Sequence, residues 1–148
     1  MSPRIPPMSW RAAGCLLVAV VLVAGCESNS SEAEKEGENA PAAQTVRAFY
    51  AAANRAAGDE ACTLLTTRGI QQVVHVSSRA GCISTIGGLA RGSFSSEEGE
   101  LLHIEGVDER GDDAFDVDAQ LRGRSGGTYA VVRRNGRLMI DGFEPKEG

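Results

Sequence analysis

Histidine is scarce in this sequence: only His75 and His103 occur, and neither stands in a pattern that suits a metal ligand set. Long apolar runs are missing as well. The longest, Ala12 to Gly25, has fourteen residues, whereas a helix needs ~20 to cross the ~30 Å of bilayer hydrocarbon. Basic groups are the minority, 15 against 20 acids for a formal charge of −5, which argues against generic nucleic-acid binding. No lysine stands at phosphate-loop spacing from Gly87-Gly88 or Gly126-Gly127, so both pairs read as turns. Nothing in the composition calls for a cofactor. The hundred residues from Gln44 to Phe143 are enough for one hydrophobic core and too few for two.

What is present begins with an address. Residues 1–25 carry Arg4 and Arg11 but no acid, followed by the short apolar run, which ends on small residues. That is the layout of a cleaved export signal. Its last residues with the next one, Val23-Ala24-Gly25-Cys26, resemble the lipobox of bacterial lipoproteins. The resemblance implies that Cys26 is acylated, becomes the first mature residue and holds the protein to the lipid bilayer, on the extracytoplasmic face of the cell membrane. Two or more acyl chains make such an anchor durable, at ~0.8 kcal/mol per buried CH₂. Loss of Arg4 and Arg11 leaves 13 basic groups against 20 acidic ones, a charge of −7. Residues 26–41 then read as a flexible acidic tether, with five acids, one lysine and no large apolar residue between Glu27 and Ala40. The domain proper is residues 42–148.

Export also sorts the cysteines. Cys15 leaves with the signal and Cys26 takes lipid, so Cys62 and Cys82 remain together in an oxidising compartment, where a disulfide is the default and two free thiols are the other reading. Closing a loop of about twenty residues would stabilise the fold by ~3 kcal/mol in the chain-entropy model.

Within the domain the hydrophobic period is helical at first. Val46, Phe49, Tyr50, Ala53 and Ala57 form one stripe. Gly58 is expected to stop that helix and Asp59 to cap a second, with Cys62 near its start and Leu64 and Leu65 inward. Thr66 or Thr67 would cap a third, carrying Ile70, Val73, Val74 and Ser77 as far as Gly81, and a short turn of helix follows from Cys82 to about Leu89. After Gly99 the period becomes two, and strands are expected around residues 101–107, 115–121, 129–133 and 138–142. Asn135-Gly136 predicts a two-residue hairpin that pairs Arg133 with Leu138, Val131 with Ile140 and Tyr129 with Gly142. Helices first and an antiparallel meander afterwards make an α+β fold.

The stretches Val46 to Asp59, Ala61 to Thr66, Gly127 to Val132 and Gly136 to Gly142 are together similar to the nuclear transport factor 2-like superfamily, in particular to exported members from high-GC Gram-positive bacteria. The similarity covers about residues 42–143. It implies a cone-shaped domain whose N-terminal helices pack on a curved antiparallel sheet, often around a pocket. Ketosteroid-isomerase-like enzymes of that superfamily use a first-helix tyrosine as oxyanion donor and a carboxylate as base. Tyr50 matches the tyrosine, yet Thr66-Thr67-Arg68-Gly69 stands where the base would be and offers no carboxylate.

Other candidates have bland readings beside them. His75 reads as a residue at the edge of the third helix's stripe, and Glu105 could orient the His103 imidazole, although two residues of one strand at ~7 Å are a loose fit for a direct hydrogen bond. Arg122, Arg124, Arg133, Arg134 and Arg137 offer a basic rim for an anionic headgroup or acidic partner. Alternatively they pair with the acids of the preceding strands, Asp116 facing Arg134 across a turn near Ser125. The leading expectation is a lipid-anchored, non-catalytic domain that binds an envelope protein or a small apolar ligand. The alternative is an isomerase or dehydratase using Tyr50. A filled interior would favour the first, and an open pocket with Tyr50 beside an ionisable group would favour the second.

Overall fold

The computed structural model describes residue 37, residues 40–93 and residues 102–146. Cys26, the export segment and most of the tether lie outside the described residues. Helices come first: α1 (Pro41–Asn54), α2 (Gly58–Thr63), a single turn α3 (Thr67–Gly69) that widens into a π-helical turn (Ile70–Val74), and α4 (Arg79–Gly87). Strands β1 (Leu102–Glu109), β2 (Ala114–Leu121), β3 (Gly127–Arg134) and β4 (Arg137–Pro145) follow as an open antiparallel sheet in sequence order. The fold is α+β.

Pro41 starts α1 at no cost, since a first-turn residue has no intrahelical partner for an N–H. The expected stripe is buried through Val46, Phe49 and Ala53, and Ala42, Ala43 and Ala52 widen it. Thr45 is buried among them because its hydroxyl donates to the Pro41 carbonyl at 3.0 Å. The exit differs from expectation. Ala56, at φ 56°, makes the left-handed turn, while Gly58 is the first residue of α2, and Asp59 lies inside its first turn rather than capping it. Gly58 serves packing: a Cβ there would collide with the backbone carbonyl of Ile83 in α4. Across that close approach Cys62 and Cys82, both fully buried, form a disulfide with Cα atoms 6.2 Å apart.

Thr66 caps α3 as its sequence suggests, its Oγ1 accepting from the Gly69 N–H at 3.0 Å. The helix does not run on to Gly81, however, because His75 turns left-handed at φ 60° and ends it. Ser78 then caps α4 by accepting from the Gly81 N–H, so Gly81 lies in a first turn and not at a stop.

In the sheet, Leu102 and Ile104, then Val117, Ala119 and Leu121, then Tyr129 and Val131, and finally Ile140 share one buried cluster with the helices. Asn135 and Gly136 both have positive φ, 51° and 76°, as a type I′ hairpin requires. Arg133 pairs with Leu138 and Val131 with Ile140 as expected, but Tyr129 pairs with Phe143 and not Gly142. The register slips because Asp141 bulges out. Its carboxylate accepts from the Thr66 hydroxyl at 2.7 Å and lies 3.5 Å from Arg68, bonds that regular pairing would not supply. The β2–β3 register also differs: Gly123, at φ 74°, lies at the turn, so Asp116 faces Ala130 rather than Arg134 and its ion pair is with Arg110.

Candidate functional site

Tyr50 lies on the flank of the α1 stripe and Tyr129 on the buried face of β3, and their hydroxyls meet at 2.5 Å. The rings meet edge to face with centroids 6.0 Å apart, and Phe49 and Phe143 extend the aromatic contact at 5.2 and 4.7 Å. Burial raises the pKa of both phenols above the ordinary tyrosine value. For Tyr129 the neighbouring Tyr50 adds to the rise, whereas for Tyr50 the Tyr129 hydrogen bond and the Arg124 charge oppose it. Both hydroxyls are therefore neutral around pH 7.

The pair opens on a cavity of about 360 Å³. Its walls come from α1 (Phe49, Ala53), the π-helical turn (Val73, Val74), α4 (Thr85, Ile86) with Leu89 just beyond it, and the sheet (Leu121, Phe143), with Arg124 and Ser125 of the β2–β3 connection. The surface is apolar apart from two phenols, two aliphatic hydroxyls and one guanidinium. No carboxylate or imidazole lines it among the described residues. Such an arrangement can solvate an apolar body and present hydrogen-bond donors to one oxygen of it. A group that would take a proton near neutrality is not among its lining.

Other residues singled out from the sequence lie elsewhere. His75 and His103 are exposed, and His103 faces Gln120 across β1 and β2. Glu105 sits at a β1 irregularity, exposed, with its carboxylate 2.6 Å from the Lys146 ammonium. The arginines do not make one rim: Arg124 lines the tyrosine cavity, Arg133 pairs with Asp113 at 3.3 Å, and Arg134 lines a different cleft. Among the described residues no cluster of histidine, cysteine or acid could hold a metal, and no helix is long and apolar enough to cross a membrane. Sequence reasoning found Tyr50 but missed Tyr129 and Arg124 as its companions. The strand phase of Tyr129 with Val131 was the available signal for the first; a contact across 79 positions left none for the pairing itself.

No known protein-family model matches the chain, and neither a curated protein nor a solved structure is significantly similar to it.

Proposed function

We propose that the chain is an extracytoplasmic lipoprotein, anchored in the cell membrane through acylated Cys26, whose nuclear transport factor 2-like domain holds a small apolar ligand rather than transforming it. In this reading residues 1–25 are the export signal, residues 26–41 give the domain its reach, and α1 lies across a curved sheet to form a cone. Support for the cone comes from the shared hydrophobic cluster and from the bonds that tie α1 to the strands, Arg47 to the Leu102 carbonyl at 3.2 Å and Tyr50 to Tyr129. The observation that carries the functional reading is the lining of the cavity among the described residues: apolar walls, neutral phenols, one guanidinium and no carboxylate or imidazole.

The open cavity with Tyr50 in it also gives the enzyme alternative a specific footing, since two hydrogen-bonded phenols can donate to a developing oxyanion. The two readings differ in magnitude. A neutral hydrogen bond to a bound ligand is worth ~0.5–1.5 kcal/mol, so Tyr50→Phe together with Glu105→Gln should weaken ligand retention about tenfold or less and leave the biological role in place. An oxyanion donor is worth ~10²–10³ in turnover. Protein purified from its own membrane should release a small apolar molecule on solvent extraction, and Val74→Phe, which fills the cavity, should release none. If the Tyr50 and Glu105 double variant folds normally yet loses function as completely as a deletion, the enzyme reading replaces the binding one.

A further inference from the structure

A second cleft, of about 490 Å³, runs along the outer edge of β4, where Leu65 adds a short parallel bridge to Ile140. It lies at the opposite end of β3 and β4 from the tyrosine cavity and shares no lining residue with it. Three guanidiniums stand in its walls, from Arg68 after α3's cap, Arg79 in the first turn of α4 and Arg134 at the end of β3, beside the hydroxyls of Thr67 and Ser77. Among the described residues its lining holds a single carboxylate, Asp141, which is already engaged by the Thr66 hydroxyl and by Arg68. Among the described residues neither Arg79 nor Arg134 has an ion-pair partner. Arg134 is moreover set directly across the hairpin from Arg137, a like-charge pairing that costs stability.

We propose that this cleft binds a phosphate group. Two guanidiniums left over after Asp141 is neutralised match a phosphate dianion in charge. Planar guanidinium forks together with hydroxyl donors from a separate loop can surround the oxygens of a tetrahedral anion, whereas a carboxylate offers two oxygens in one plane. Thr66-Thr67-Arg68-Gly69, the stretch where a carboxylate base is missing, supplies part of the lining. Gly69 holds that stretch against β4, since a Cβ there would collide with the Ile140 carbonyl. An anion in the cleft would also relieve the repulsion between Arg134 and Arg137. The phosphate could be free in solution or carried by a lipid headgroup, and the chemistry of recognition is the same.

The test is calorimetric titration of the detergent-solubilised full chain, at constant ionic strength, with inorganic phosphate, with glycerol phosphate and with succinate. Both phosphates should bind saturably at one site, and succinate should neither bind comparably nor displace them. Arg79→Gln with Arg134→Gln should weaken phosphate binding by at least about tenfold, with the phosphate-free melting midpoint no lower than that of the wild type because the repulsion between Arg134 and Arg137 is removed. The corresponding double lysine variant should recover part of the loss, and Arg122→Gln should bind as the wild type does. Should the double variant melt early, Arg79→Gln alone carries the comparison, because that side chain is exposed and makes no ion pair. Tighter binding of glycerol phosphate assigns the site to a headgroup, and equal binding assigns it to free phosphate. No saturable binding, succinate binding as tightly, or undiminished binding by the folded arginine variants would each overturn the assignment.

Discussion

Alkaline pH should unfold this domain through its two tyrosines, and the effect can be isolated because Tyr50 and Tyr129 are the only ones in the chain. Both phenols have raised pKa values in the folded state, chiefly through burial, while in the unfolded chain they titrate near 10. The stability this confers on the folded state is fully present below pH 10. Above it the unfolded state releases protons that the folded state keeps, and stability falls by up to about 1.4 kcal/mol per pH unit for each tyrosine, or about 2.7 for the pair. Against a total of ~5–15 kcal/mol for a small domain, one to two pH units consume a large part. The Lys146 ammonium, raised by its hydrogen bond to Glu105, acts in the same direction, so Lys146→Gln serves as background. Urea unfolding at successive pH values, followed by circular dichroism beside tyrosinate absorbance, measures both quantities. Phenolate absorbance should appear only as the fold is lost, and Tyr50→Phe with Tyr129→Phe should flatten the slope above pH 10. Ionisation of both tyrosines near pH 10 in a protein that remains folded would refute the reasoning.

Tyr50→Phe alone should cost ~1–3 kcal/mol, because Tyr129 is 4% exposed and its hydroxyl loses a partner; adding Tyr129→Phe should cost less than the sum of the single changes, which a double-mutant cycle by urea melts will read. Replacing Cys62 and Cys82 together by alanine should remove ~3 kcal/mol and lower the thermal midpoint by more than ten degrees or so; thiol labelling of the native wild-type protein should find neither sulfur reactive. Gly58→Ala should destabilise by ~1–3 kcal/mol, against the usual gain of alanine over glycine in a helix, because the added methyl meets the Ile83 carbonyl; a rise in the melting midpoint would contradict that contact. Cys26→Ala should move the protein from the membrane to the soluble fraction or leave it unprocessed, as fractionation and immunoblotting will show.

Periodic signals proved legible and singular ones did not. Val46, Phe49 and Ala53 repeat at a helical interval, Phe115 to Leu121 alternate, and Asn135-Gly136 carries its turn geometry in two residue types, so the helix, the strands and the last hairpin could be read directly. Positions set by a distant neighbour could not. Gly58 looks like a stop until Ile83 is seen against it. Ala56 adopts left-handed backbone with no residue preference to announce it, and His75 does so with only a weak one. The role of Ser78 as a cap is masked by the helical spacing of Ile70, Val73, Val74 and Ser77 just before it. The same division holds at the cavity: Tyr50 stands out on its helix, whereas Arg124 enters only because the connection after β2 folds back toward α1.

The bulge at Asp141 settles a question of parity. In an uninterrupted strand residues an odd number apart face opposite ways, yet Ile140 lies in the core and Phe143, three positions on, lines the tyrosine cavity. One inserted residue makes both orientations possible. Pairing Asp141 regularly with Ala130, so that no residue is extra, would set Phe143 opposite Thr128 and rotate it to the outside, and the cavity would lose its wall against Tyr129. A single position thus keeps the two ends of β4 facing the way each needs.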